Sequence, residues 1–421
     1  MRFLVPLALF LCCTFAASNW AVIVAGSKGY SNYRHQSDVY HAVQMLRNNG
    51  YSDSNIIVMQ ENDIAFNARN PIKGEVYNNP EMINYYDNIP MDYTGNAVTP
   101  QNFLAVLSGR KDKVEGGSGR VIESDENTNI LVLYYDHGSP GLVAFPHGGY
   151  LYVKPLRETV EWMYKNKKYN KMVMYIEACE SGSMFHDWSD DLAKLNVYAA
   201  TAANPVESSY AHYWSSEVSA YLGDEFSITY MEDIDENGVD QTLDYQFKNA
   251  ILSRVKGSHP QQYGNMTIAQ EPLRNYFATE NGKTHSAKLF SRNRASNAEY
   301  EIMNTYDLKL RSLQKAHDLS KSVSERTRLS ALIKAEERRR EWTDSIFSSL
   351  VDLVAPGFKS TGLLTYTKID HECYQASVEN FTASCGVVSD YGMRYLRIFA
   401  NLCEVGVQPE VIALAAREIC H

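Results

Sequence analysis

Between residues 19 and about 230, short and continuously apolar runs alternate with amphipathic stretches, and this alternation restricts the fold more than any other feature. NWAVIVAG (19–26), NIIVMQ (55–60), NILVLYYDHGSPG (129–141), KMVMYIEAC (171–179) and NVYAATAAN (196–204) read as strands. DVYHAVQMLRNNG (38–50), closed by Gly50, and LRETVEWMYKNKKYN (156–170) read as helices. Unbroken apolar strands need cover on both faces, so the pattern predicts an α/β domain with a mostly parallel sheet and helices on both faces. Ligand sites in such sheets lie beyond the carboxyl ends of the strands. Asp136-His137-Gly138 and Cys179 both follow such an end and therefore fall on one edge.

The pattern dissolves from about 260 to 300, and SRNRASNAEYE reads as exposed linker. Residues 305–354 contain no glycine or proline and read as helical, with apolar positions at Leu308, Leu310, Leu313, Ala316, Leu319 and Val323. The last part, 362–421, reads as a small stapled helical module. The expected division is an N-terminal leader over 1–18, an α/β domain over 19–287, a linker over 288–305 and a helical module over 306–421.

MRFLVPLALFLCCTFAAS has one arginine, an apolar stretch shorter than a membrane span and small residues at its end, the features of a secretory signal peptide. Cleavage is expected between Ala16 and Asn19. No later segment is long and apolar enough to span, so a lumenal or secreted product is expected. Asn265-Met-Thr and Asn380-Phe-Thr are glycosylation acceptor sequences that suit this route. Of seven cysteines, Cys12 and Cys13 belong to the leader. Cys373, Cys385, Cys403 and Cys420 cluster near the end and predict two disulfides, which leaves Cys179 as a free thiol.

The formal charge of -10 excludes nucleic acid as a general partner. It is unevenly distributed: residues 288–421 carry 18 basic and 17 acidic side chains, which leaves 22 and 33 upstream. A basic helical segment beside an acidic domain predicts docking that weakens as carboxylates protonate.

Cys179 is followed by Ser181-Gly182-Ser183, a turn that lets backbone approach a ligand. An attacking thiol needs a proton shuttle, and His137 ends a neighbouring strand. Gly138 frees backbone there to present an N–H to a developing oxyanion. Glu177 and Cys179, two residues apart, would share one face of a strand.

An apolar strand, His-Gly, a second apolar strand and Ala-Cys together resemble the caspase-like cysteine peptidases. Within these, EACESGSMF, YRHQ, TAANPVESSYA and YLGD resemble the legumains, the asparaginyl endopeptidases, over nearly the entire chain. The resemblance implies a caspase-like sheet followed by an inhibitory, disulfide-stapled prodomain. It implies Cys179 as nucleophile, His137 as acid/base, Asn32 as orienter of the imidazole, and the Gly138 and Cys179 N–H groups as oxyanion donors. Arg34, Glu177 and Asp224, with His35 and Ser209 nearby, would form the pocket for the residue before the scissile bond. Peptide substrates, the chain's own prodomain and cystatin-type inhibitors are the implied partners; no metal or other cofactor is expected.

An asparagine amide needs both a fixed donor and a fixed acceptor, which Arg34 and the two carboxylates can supply. Aspartate would suit such a pocket only when acidified. The stretch AHYWSSEVSAYLGD departs from relatives upstream of its shared end. At the prodomain junction MNTYDLK, Asn304 and Asp307 are the candidates for self-cleavage. A peptide ligase would use the same residues, and a non-catalytic secreted binding protein is the other alternative. DIDENGVDQTLD (233–244) resembles the opening of a calcium loop, but Asp244 stands where a bidentate glutamate belongs, so an acidic surface loop is expected.

Overall fold

The apolar runs form strands β1 (Asn19–Ala25), β2 (Ile56–Met59), β3 (Asn129–Tyr135), β4 (Lys171–Glu177) and β5 (Val197–Thr201). Four more follow: β6 (Tyr210–Ser215), β7 (Ala220–Asp224), β8 (Gln261–Gly264) and β9 (Ile302–Asn304). The computed structural model describes residues 19–279, 301–358 and 369–420. The expected signal peptide and residues 288–300 of the expected linker lie outside the described residues.

The main sheet has the order β8-β5-β4-β3-β1-β2, parallel except for β8. Successive side chains on a strand point to opposite faces, so each strand feeds two cores. Ala21, Ile23, Leu131, Leu133, Val173 and Tyr175 lie in one; Val22, Val24, Ile130, Val132, Met172 and Met174 lie in the other. Helices α1 (Tyr33–Asn48), α2 (Pro100–Leu107), α3 (Val153–Lys165) and α4 (Glu225–Asn237) pack around the sheet.

Helix α1 begins five residues earlier than the apolar pattern predicts. Its first turn, Tyr33-Arg34-His35-Gln36, is polar yet buried, because it faces a polar site rather than an oily core. The expected dissolution after 260 is also corrected. Residues 261–264 form β8, and Leu273, Tyr276 and Phe277 are core residues. The calcium-like stretch is a loop only over 238–242: its first part ends α4, and Asp233 accepts from Asn237, Gln241 and Gln246.

The C-terminal module contains α5 (Leu308–Leu319), α6 (Val323–Val354), α7 (His371–Cys385), α8 (Arg397–Glu404) and α9 (Pro409–Cys420). The single helical stretch expected over 305–354 is interrupted at Ser320–Ser322, where the Ser322 side chain accepts from the Glu325 N–H and starts α6. Disulfides Cys373–Cys403 and Cys385–Cys420 tie α7 to α8 and to α9. Phe347, Leu350, Phe381 and Phe399 build the core of this module. That core continues into Leu142, Ala144, Tyr152 and Cys179 of the α/β domain, so the module is seated on the strand-end edge.

Candidate active site

Strands β3 and β4 end in register, Tyr135 opposite Glu177, so His137-Gly138 and Ala178-Cys179 leave the sheet side by side. A Cβ on residue 138 would lie 2.2 Å from the Cys179 carbonyl oxygen, which requires glycine there. Strand β4 stops at Glu177, so Cys179 lies on the following turn and the expected shared strand face does not apply. Ser209 flanks the thiol instead: its N–H donates to Cys179 Sγ at 3.3 Å, and its hydroxyl acts to lower the Glu177 pKa. Glu180 continues the turn in the left-handed region at φ 49°.

His137 Nε2 lies 3.0 Å from Asn32 Oδ1, while its Nδ1 is buried without a partner. Asn32 Oδ1 also accepts from Arg34 Nη1 at 3.3 Å. Burial pushes the His137 pKa down to about 4, against the pull of Asp390 and with the push of Arg34. Burial, then the Glu180 charge, pushes Cys179 up to about 12, opposed by Ser209. Among the described residues Cys179 is the free cysteine, and in this state it is a neutral thiol.

A second group lies beside it, all from the α/β domain. Arg34 Nε donates to Asp224 Oδ1 at 2.7 Å, and His35 Nε2 lies 3.4 Å from Asp224 Oδ2. Glu177 Oε2 accepts from the Ser227 N–H and hydroxyl, each at 3.2 Å. Burial, then the neighbouring Asp224 charge, raises Glu177 well above the carboxylate range. Arg34 Nη2, a donor, Glu177 Oε1 and Asp224 Oδ2, both acceptors, and His35 Nε2 are buried without hydrogen-bond partners. The five residues expected in the pocket are thus brought together. The ligating atoms of His35, Asp136 and His137 also lie within 4.8 Å of one another. His35 Nδ1 is 2.6 Å from Ser27 Oγ and His137 Nε2 faces Asn32, so protein partners occupy these nitrogens.

The Peptidase C13 family profile matches residues 19–286, and the legumain prodomain profile matches residues 357–420. Legumain of Rattus norvegicus is 38% identical over 412 residues, 96% of this chain and 92% of the rat protein. Legumain of Homo sapiens is 37% identical over 411 residues, covering 96% and 93%. The vacuolar-processing enzyme delta-isozyme of Arabidopsis thaliana is 38% identical over 431 residues, covering 96% and 90%. The chain belongs to the Peptidase C13 family. This C13 peptidase is a cysteine-type endopeptidase zymogen, and residues 357–420 of its C-terminal module match the legumain prodomain.

Three residues that the sequence did not single out enter the site: Tyr306 and, from the matched prodomain, Asp390 and Arg397. The Tyr306 hydroxyl donates to Glu180 Oε2 at 2.7 Å and lies 3.2 Å from the Gly138 carbonyl. Arg397 Nη2 lies 3.4 Å from Glu180 Oε1. Asp390 Oδ2 lies 3.6 Å from His137 Nε2 and accepts from Asn32 Nδ2 at 3.3 Å. No local signal could reveal them: Tyr306 and Arg397 are 126 and 217 residues from Glu180. Charge on the basic helices is spent differently from expectation. Glu325 pairs with Arg328, and buried Glu336 with Lys309, Arg339 and Arg340, so α5 and α6 neutralise much of their own charge.

Of the expected processing residues, Asn304 lies in β9, paired with Tyr210 of β6, and Asp307 precedes α5, paired with Arg340 at 2.7 Å. Asn265 is half-buried and caps a short helix by accepting from the Thr267 N–H. Asn380 lies within α7, its amide donating to the Pro409 carbonyl at 2.9 Å. No helix among the described residues is long and apolar enough to cross a membrane.

Proposed function

We propose that this C13 peptidase, once its prodomain has left, hydrolyses peptide bonds after asparagine through a thioester on Cys179. One observation supports the specificity: Arg34 Nη2 and Glu177 Oε1 are buried and unpaired in one pocket. A carboxamide supplies what each lacks, accepting from the guanidinium and donating to the carboxylate. A side chain that left either atom unpaired would forfeit about 1–3 kcal/mol. Aspartate brings only acceptors and fits when it or Glu177 carries a proton, which acid favours.

In the chemical step the thiol proton passes to His137 Nδ1 and the sulfur attacks the scissile carbonyl carbon. The oxyanion takes the N–H groups of Gly138 and Cys179. The C–N bond breaks as His137 returns the proton to the leaving amine, and water then resolves the thioester. Asn32 holds the ring at Nε2, which leaves Nδ1 for the reaction.

Acid activation follows from groups that docking buries. His137 faces Asp390, Arg34, Asn32 and His35 and is depressed from 6.5 to about 4. Its contribution to docking is therefore complete above 6.5 and lost as pH falls through 6.5 toward 4. His371 of α7, 3.9 Å from Asp187, is also lowered by burial and acts in the same direction. Glu180 opposes them. Burial raises it from 4.5 to about 7 despite Arg397 and Tyr306, so protonation between 7 and 4.5 favours the docked state. The reading therefore assigns acid release to buried histidines rather than to the carboxylates of the acidic domain. A secretory signal, the two acceptor sequences and this pH sense suit an acidic lumenal compartment.

The test is hydrolysis of matched Asn, Asp and Gln peptides after acid incubation, beside Cys179→Ala. Cleavage after Asn that vanishes in the variant is expected, with product masses separating hydrolysis from transfer to an amine. Equal cleavage of the Gln peptide would overturn the pocket reading.

A further inference from the structure

Beside the candidate site, the three-stranded sheet β7-β6-β9 carries an aromatic pair. Tyr221 lies opposite Trp214 in the β7–β6 register, with ring centroids 5.1 Å apart and planes at 65°. The Trp214 indole nitrogen is buried without a partner. Helix α5 covers the pair: Leu308 packs on Tyr221, and Lys315 places its ammonium 5.2 Å from the Trp214 centroid and 5.7 Å from that of Tyr221. Lys315 also pairs with Glu301, which accepts from the Tyr221 hydroxyl at 3.1 Å. The prodomain thus fills this place with a cation.

The neighbouring lane leads to the thiol. Strand β9 pairs antiparallel with the free edge of β6, Ile302 opposite His212 and Asn304 opposite Tyr210. The next residue, Thr305, donates its N–H to the Ser209 carbonyl at 3.2 Å, and Ser209 in turn donates to Cys179. Residues two apart on an extended chain share a face. Met303 packs into the cluster with Trp214 and Tyr221, and Glu301 accepts from the Tyr221 hydroxyl. A peptide adding to this edge would carry residues toward the rings two and four positions before the one beside Ser209.

The geometry points to Trp214 and Tyr221 as a specificity platform that takes a lysine or arginine side chain of the substrate, upstream of the scissile asparagine, once Lys315 has withdrawn. Indole is the strongest aromatic partner for a cation, and a neutral aliphatic chain of equal length would gain only its apolar contact. Trp214 lies in the part of AHYWSSEVSAYLGD that departs from the family pattern, and Tyr221 opens its shared end, YLGD.

This inference rests on cleavage after asparagine, and its test separates the two. Asn peptides bearing lysine or its neutral isostere norleucine at the second or fourth residue before asparagine would be compared by kcat/KM with acid-processed enzyme. At one of these positions lysine should be favoured by about five- to tenfold, the value of a partly desolvated cation–π contact. The readout is a ratio, so it does not depend on the absolute activity of a variant. It should fall to about one in Trp214→Leu and take an intermediate value in Trp214→Phe. A ratio near one in the wild type, or one that survives Trp214→Leu, overturns the platform alone. No cleavage of any of these peptides overturns the asparagine reading and the platform with it.

Discussion

The pocket and the thiol site lie beside each other but are completed by different parts of the chain. Arg34, His35, Glu177, Asp224 and Ser227 all belong to the α/β domain and hold one another through short contacts. The thiol site is closed by the C-terminal part of the chain: Tyr306 and Arg397 hold Glu180, and Asp390 faces His137. Under the proposed function, recognition is preformed in the zymogen, whereas Cys179 and His137 are kept buried and neutral. A fold can keep a pocket rigid and regulate it by burial alone, because burial drives thiol and imidazole pKa values apart, to about 12 and about 4.

Substitutions in the two regions should separate accordingly. The largest effect is expected for Cys179→Ala, which should lower kcat by at least about a thousandfold with the peptide affinity retained, as read by competition binding. Next, Arg34→Lys loses a planar donor in a sealed pocket, and kcat/KM for Asn peptides should fall by about a hundredfold. Glu177→Gln should cost somewhat less and should narrow the preference for Asn over Asp at low pH; an unchanged Asn/Asp ratio would refute the acceptor role. On the thiol side, Cys373→Ser with Cys403→Ser should destabilise the prodomain by about 2–4 kcal/mol. A lower melting temperature and earlier processing should follow, with no change in the specificity of the processed enzyme. The smallest effect belongs to Tyr306→Phe, which removes one buried hydrogen bond worth about 1–2 kcal/mol and should raise the rate of prodomain release by about tenfold. Prodomain release by gel filtration should increase as pH falls from 6.5, and His371→Gln should weaken that dependence.

The contrast between the regions also explains what the sequence made legible. Unbroken apolar strands revealed the sheet, and the paired strand ends revealed His137 and Cys179, because burial on both faces leaves a strong local pattern. The family motifs brought in Arg34 and Asp224, which no periodicity would have selected. The start of α1 was missed for the reason that the pocket exists: its first turn buries polar side chains. The isolated apolar residues of 261–279 did not read as core, since each contacts distant strands rather than sequence neighbours. The sequence carries no signal for Glu180, because its partners Tyr306 and Arg397 reach it only in the folded protein. Strand β9 lay hidden in sequence read as linker, because its partner β6 and not its composition makes it a strand.

The central claim is that docking alone silences a thiol beside a finished pocket. Its most direct test is the rate at which iodoacetamide alkylates Cys179 near pH 6, compared between zymogen and acid-processed enzyme. The zymogen should be alkylated slowly, at the rate of prodomain release, while the processed enzyme should react quickly and be protected by an Asn peptide. Equal rates in the two forms would contradict the account.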